Sequence, residues 1–119
     1  MNPLLSVIIP ARNEAQALPL LLADLAALRE AGAEVLLVDG GSSDASLELA
    51  AGHVDQSLSC TAGRARQMNA GAAAAVGDYL WFVHADTRVS SEAIRRLLDV
   101  LIERPLWGRF DVRLSARGS

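Results

Sequence analysis

The chain has 119 residues, enough for one hydrophobic core and too few for two domains of ordinary size. Apolar residues make up 51% and charged residues 21%, which argues against a disordered chain, and a net charge of -3 offers no basic footprint for nucleic acid. No apolar run approaches the ~20 residues of a membrane span, and Cys60 is the single cysteine, so the expectation is a cytoplasmic protein without an internal disulfide, with peripheral association at the inner face of the membrane left open.

The first expected strand, residues 4–9, is a β-branched run closed by Pro10, and its exit carries Arg12, Asn13 and Glu14. Leu18, Leu21, Leu22, Leu25 and Leu28 then fall on one helical face. Pro19 suits a first turn, so the helix starts near Leu18, and Gly32 stops it. A second strand over 34–39 ends in Asp39. Gly40 to Asp44 is turn material leading into a short amphipathic helix over 45–51. A third strand is expected over 54–58, followed by a helix over 63–76 whose many alanines permit close packing on a sheet. The stretch Tyr79-Leu-Trp-Phe-Val-His-Ala-Asp-Thr87 is the most informative: an apolar, aromatic run, read as a strand over 78–84 buried on both faces, that ends abruptly in His84, Ala85 and Asp86. Ser90 caps the next helix, with Glu92 in its first turn and a stripe of Ile94, Leu97, Leu98, Leu101 and Ile102, and Pro105 stops it. Residues 109–114 alternate polar and apolar, the pattern of a strand with one wet face and antiparallel pairing.

Strands alternating with helices, joined by right-handed crossovers, predict a mostly parallel sheet with helices on both faces. Its carboxyl edge would gather Arg12, Asn13 and Glu14; Asp39 with Ser42 and Asp44; Gly63 and Arg64; and His84 with Asp86. Ligands of open α/β sheets bind in the crevice outside that edge. The first strand is not followed by a G-x-G-x-x-G turn, there is no Walker Lys, and no Cys/His cluster has zinc spacing. What remains is an acidic rim with Asp86 on an exit loop and an Arg nearby. That arrangement suits a divalent cation shared with substrate phosphates, which would neutralise charge on a departing diphosphate.

Most of these residues also have a plainer reading. Asn13, with Gln16 three residues later, could complete a capping box, and Glu14 could be a solvated first-turn acid. Ser42, Ser43 and Asp44 could only cap the following helix, and Asp39 and Asp86 could be strand-end turn acids. Of Arg64 and Arg66, one would serve the site and one be solvated. His84 is balanced between a ligand contact and a hydrogen-bonded structural histidine. Trp81 and Phe82 read as packing, Trp107 as packing or a sugar platform, and His53 and Cys60 as functionally silent.

The set Ser6-Val-Ile-Ile-Pro-Ala-Arg-Asn-Glu14, Val38-Asp-Gly-Gly-Ser-Ser-Asp44, Gly63-Arg-Ala-Arg-Gln-Met-Asn-Ala-Gly71 and Phe82-Val-His-Ala-Asp-Thr87 resembles family 2 glycosyltransferases, and among them the small bacterial branch called radical-SAM/selenodomain-associated transferase 2. The resemblance covers most of the chain in the correct order. It implies a Rossmann-like GT-A nucleotide-diphospho-sugar transferase fold and a nucleotide-diphospho-sugar donor, transferred with a divalent cation, Mn²⁺ or Mg²⁺, to an unidentified acceptor. It also implies that Pro10, Asn13, Glu14 and Asp39 line the nucleotide pocket, that the Gly63-Arg64 region lies beside it, and that the segment ending in Asp86 is the D-x-D metal motif. His84 stands where that motif has its first Asp, which leaves Asp86 as the motif's carboxylate; an imidazole there can ligate Mn²⁺ or donate to a ribose hydroxyl. Arg12 and Ser42 complete the expected donor site. The family runs on for roughly another hundred residues, a half-domain in size, which hold its acceptor pocket and catalytic base. Residues 1–119 are accordingly expected to be a truncated donor-binding half with the acceptor half absent, containing no catalytic base and self-associating through the 109–114 strand. Two other readings stand beside this one: a nucleotide-binding module without turnover, and a sugar-nucleotide-forming nucleotidyltransferase, which would need a Gly-rich loop and a Lys after the first strand.

Overall fold

The computed structural model describes residues 3–103. Among them, four parallel strands form one sheet in the order β3-β2-β1-β4, with β1 at Leu5–Ala11, β2 at Glu34–Asp39, β3 at Gln56–Ser59 and β4 at Tyr79–Phe82. The helices between and after them are α1 (Leu18–Glu30), α2 (Ser46–Ala50), α3 (Arg64–Ala74) and α4 (Ser91–Glu103). The expected strand over 109–114, Trp107 and the self-association through that strand lie outside the described residues.

Successive side chains of a strand point to opposite faces, so β1 and β2 divide their apolar residues between two layers. Leu5, Val7, Ile9 and Ala11 of β1, with Val35 and Leu37 of β2, face α1, α2 and α4, where Leu18, Leu21, Leu25, Leu28, Ala50, Ile94 and Leu97 complete the larger core. Ile8, Leu36 and Val38 face the other way, onto the alanines of α3. Helices therefore cover both faces, as the apolar pattern requires. The alanine helix lies very close to the sheet: a Cβ at Gly71 would come 2.4 Å from Ile8 Cγ2. Only a glycine fits there.

Several boundaries differ from expectation. β1 is not closed by Pro10 but continues to Ala11, with Pro10 opposite Val38 and Ala11 opposite Asp39, since the fixed φ of proline is compatible with extended backbone. The alanine helix ends at Ala74 because the next N–H groups are captured at the amino edge of the sheet, Val76 N donating to Glu34 Oε1 (3.0 Å) and Gly77 N to Ser6 Oγ (2.8 Å). β3 begins at Gln56 because Asp55 marks its start, its own N–H on Val35 O and its carboxylate taking Val35 N at 2.8 Å. β4 is shorter than 78–84 and is the outermost described strand on its side. It is not buried on both faces: Tyr79 and Trp81 are in the main core, while Leu80 and Phe82 on the α3 side are half-buried. Trp81 is packing, as its apolar surroundings predict. Ser90 caps α4 as expected, its hydroxyl accepting from Ala93 N (3.1 Å). Among the described residues no helix is long and apolar enough to cross a membrane.

Candidate donor site at the carboxyl edge

β1 runs straight to Ala11 and must then turn away from the sheet. The turn is made at Asn13, whose φ of 56° is the only positive value among the described non-glycine residues. Asparagine tolerates this left-handed region better than most residues. Here its side chain also locks it, because Asn13 Oδ1 accepts from Ser43 N (2.7 Å) and Ser43 Oγ (3.3 Å). The second loop answers with side-chain acceptors for three successive N–H groups of the first. Asn13 N donates to Ser42 Oγ (2.8 Å), Glu14 N to Ser46 Oγ (2.9 Å) and Ala15 N to Asp44 Oδ2 (3.1 Å). The two loops are thus clasped together.

Asp39, at the end of β2 and 2% exposed, holds the clasp from inside. Its Oδ2 accepts from Gly41 N (3.0 Å) and Ser42 N (2.9 Å), and the Ser42 hydroxyl donates to its Oδ1. The buried Ser46 hydroxyl donates to Asp44 Oδ1 at 2.6 Å. That hydrogen bond, followed by the N–H groups of Ser46 and Ala15, holds the Asp44 carboxyl below its ordinary value. The capping reading fails for Asn13, while for the second loop it holds only in Asp44, whose Oδ1 accepts from Ser46 N, the first N–H of α2 (3.0 Å). The N-cap residue of α1 is Ala17, without a side-chain cap and with Pro19 in the first turn, and that of α2 is Ala45, which has no capping side chain either. Asn13, Ser42, Ser43 and Asp44 each place a side-chain atom between the loops, while Ser42 also serves Asp39 and Asp44 also serves Ser46.

Beside the clasp, Pro10, Ala11, Arg12, Glu14, Arg64, Gln67, His84, Ala85 and Asp86 line an open cleft of about 260 Å³. β1 delivers Arg12 and Glu14, the first turn of α3 delivers Arg64, and the exit of β4 delivers His84 and Asp86. The parallel registers bring these three exits to one edge, with Ala11 opposite Asp39 and Ile8 opposite Phe82. Arg12, Arg64, His84 and Asp86 are exposed and Glu14 is half-buried. Among the described residues, none of these five side chains has a hydrogen bond or ion pair. Buried side-chain polar atoms of the described residues, by contrast, all have partners. The floor of the cleft is one such group, the Gln67 amide.

The nine residues expected in a donor site therefore divide. Pro10, Arg12, Glu14, Arg64, His84 and Asp86 share the cleft lining, while Asn13, Asp39 and Ser42 form the adjoining clasp. Arg64 rather than Arg66 reaches the cleft. His53 lies away from it, beside Arg29 and Asp55, and Cys60 donates to Thr61 O. Sequence reasoning missed Gln67 and Ser46. A polar residue four positions after Gly63, on the sheet-facing side of an alanine helix, was the available signal for Gln67.

A divalent cation has a partial donor set here. Among the described residues no three His, Cys, Asp or Glu side chains are grouped to hold a metal. Asp86 and His84, two residues apart and uncommitted, fit a hard cation that keeps waters and shares substrate phosphates, since such ions take only one or two carboxylates from protein. They do not fit an all-protein cage.

Fold and cleft together define a parallel α/β protein with an open cleft outside the carboxyl ends of the strands, where ligands of such sheets bind. The chain belongs to glycosyl transferase family 2, whose family model matches residues 6–118. It is 39% identical over 105 residues to the undecaprenyl-phosphate 4-deoxy-4-formamido-L-arabinose transferase of Pectobacterium carotovorum, covering 79% of this chain and 32% of that protein. Among solved structures, S. aureus TarS 1-349 in complex with UDP superposes with a TM-score of 0.73 at 24% identity, over 87% of this chain and 32% of that 1-349 chain. Mannosyl-3-phosphoglycerate synthase from Rubrobacter xylanophilus gives 0.63 at 26% identity, over 72% and 31%. The sheet is that of the GT-A glycosyltransferases. The chain spans about a third of the length of each of these matched chains.

Proposed function

We propose that this chain supplies the donor-binding part of a glycosyltransferase that moves a sugar from a nucleotide diphosphate to an acceptor, with a divalent cation. The observation that carries this reading is the cleft itself: two guanidinium groups and two carboxylates with an imidazole converge from three strand and helix ends, and no described side chain occupies them. Arg12 and Arg64 would hold diphosphate oxygens by charge-assisted hydrogen bonds, aided by the positive end of α3, whose first turn carries Arg64. The clasp of Asn13, Asp39 and Ser42 would form the wall on the nucleoside side. Asp86 and His84 would hold Mn²⁺ or Mg²⁺, which supplies Lewis-acid stabilisation of the leaving diphosphate. Transfer further needs a carboxylate to deprotonate the acceptor hydroxyl, a role assigned to none of the described residues. A cytoplasmic location at the inner face of a membrane is supported by the single cysteine and by the relative named for an undecaprenyl phosphate.

A module that binds nucleotide without turnover is the second reading, favoured by His84 standing where the metal motif has its first Asp. Calorimetric titration of UDP and GDP, each with and without Mn²⁺, into the wild-type chain and Asp86→Ala tests the donor site. Metal-dependent binding that Asp86→Ala abolishes is expected; absence of binding under all four conditions would overturn it. Hydrolysis or transfer of a bound donor then separates enzyme from module.

A further inference from the structure

The cleft's charged side chains stand on separate pieces of chain, Arg12 and Glu14 on the exit of β1 and Arg64 on the first turn of α3. One buried side chain joins these pieces. Gln67, 6% exposed, uses both amide hydrogens, on Ala11 O (3.0 Å) and on Val38 O (2.9 Å), while its Oε1 accepts from Gly63 N (3.2 Å). Gln67 N also donates to Gly63 O (2.9 Å), so the residue before Arg64 is held from both sides. The turn after β2 rests on the same amide, since a Cβ at Gly40 would lie 2.8 Å from Gln67 Cδ. The Gly40 N–H takes the remaining approach to Ala11 O (2.9 Å). One planar amide therefore ties the ends of β1 and β2 to the start of α3.

We propose that Gln67 is a positioning residue: it sets the spacing between Arg12 and Glu14 on one side of the cleft and Arg64 on the other, and so controls affinity for a nucleoside diphosphate while its own hydrogen-bonding atoms stay committed to the backbone. This rests on the donor-site reading above. The chemistry required is two N–H donors and one acceptor in a plane, at the reach of two methylenes, which glutamine alone provides. A methionine fills the volume but leaves Val38 O and Gly63 N without these partners. A glutamate sets carboxylate oxygens against two carbonyl oxygens, and regains one donor only when protonated.

The test compares the full 119-residue wild-type chain with Gln67→Met, Gln67→Glu and, as a control at the opposite edge of the sheet, Glu34→Gln. UDP affinity with Mn²⁺ is measured by calorimetry on folded samples, and amide hydrogen exchange is read at Gly63. Gln67→Met is expected to weaken UDP on the order of tenfold, as loss of a supporting partner does, and to speed Gly63 exchange, while Glu34→Gln leaves UDP affinity within about twofold. Gln67→Glu is expected to recover affinity, relative to wild type at each pH, as the solution is acidified. Arg12, Glu14, Arg64, His84 and Asp86 face the same cleft in both proteins, so their own response to pH cancels in that ratio. Wild-type affinity in folded Gln67→Met, or an equal loss in Glu34→Gln, would overturn the proposal. Should Gln67→Met not fold, a flat relative pH profile for Gln67→Glu would do so. Should the wild-type chain bind no UDP, the donor-site reading and with it the affinity role of Gln67 fall, and faster Gly63 exchange would then mark only a structural tie.

Discussion

At the amino edge of the sheet, Glu34 takes the Ser6 hydroxyl (2.7 Å), the Gln56 amide (2.8 Å) and Val76 N (3.0 Å), and Ser6 in turn takes Gly77 N. At the carboxyl edge of the same strands, Arg12, Glu14, Arg64, His84 and Asp86 have no such partners among the described residues. Both edges carry charge, yet only one is internally satisfied. A buried carboxylate must be hydrogen-bonded, because desolvation without compensation is costly. A solvated one at a rim carries no such demand and remains available to a ligand. The difference separates polar residues committed to the fold from polar residues that no described side chain engages.

Breaking the satisfied edge should have the largest effect on stability. Glu34→Ala leaves three donors without their acceptor and is expected to destabilise by about 3 kcal/mol, measured by urea unfolding. Gly71→Ala, which drives a methyl into Ile8 between the two edges, is expected to cost about 1–3 kcal/mol as overpacking. A smaller effect belongs to Asp24 of α1, which anchors the β4 exit by accepting from Arg88 (2.8 and 3.0 Å) and from Val89 N (2.9 Å). The Arg88 hydrogen bond, then the Val89 N–H, holds the Asp24 carboxyl below its ordinary value. A depressed carboxylate contributes stability that is fully present above its unfolded value, near 3.8, and is lost as the pH falls through the lower folded one. Asp24→Asn should thus be less stable than wild type by about 1 kcal/mol at pH 6, with the gap closing in acid, checked by thermal melts across pH. The smallest changes should come from the open edge: Arg12→Ala, Arg64→Ala and Asp86→Ala are each expected to alter unfolding free energy by less than about 0.5 kcal/mol. A large loss in any of these would show that the cleft residues serve the fold, and would erase the contrast between the edges.

The clasp lies between these extremes. Asp39 is as buried as a core residue and accepts three hydrogen bonds from its own loop, yet the resemblance implies that it lies against the nucleotide. Its internal bonds do not use every lone pair, so both roles fit one carboxylate. Nothing in residues 38–44 alone distinguishes a turn acid from a ligand contact. The Ser43 and Asp44 partners lie about 30 residues away, in the β1 exit loop, with sequence separations of 30 and 29.

The sequence by itself determined the order of strands and helices, their parallel sheet, the two apolar layers and the family, because hydrophobic period and motif order are local or linear properties. β2 and the start of α1 fall where their residues predict. It also named the polar residues collected at the carboxyl edge, since strands of a parallel sheet deliver their exits to the same side. The tertiary structure alone decided which of them remain open and which are consumed. Asn13 became a loop clasp rather than a helix cap, Arg64 rather than Arg66 reached the cleft, and the alanine helix stopped two residues short of Val76. Each of those outcomes rests on hydrogen bonds or packing between distant segments, such as Gly77 to Ser6 across 71 residues and Gln67 to Ala11 across 56. A polar side chain's partner is chosen by whichever backbone the fold brings within about 3 Å, and no local pattern encodes that choice.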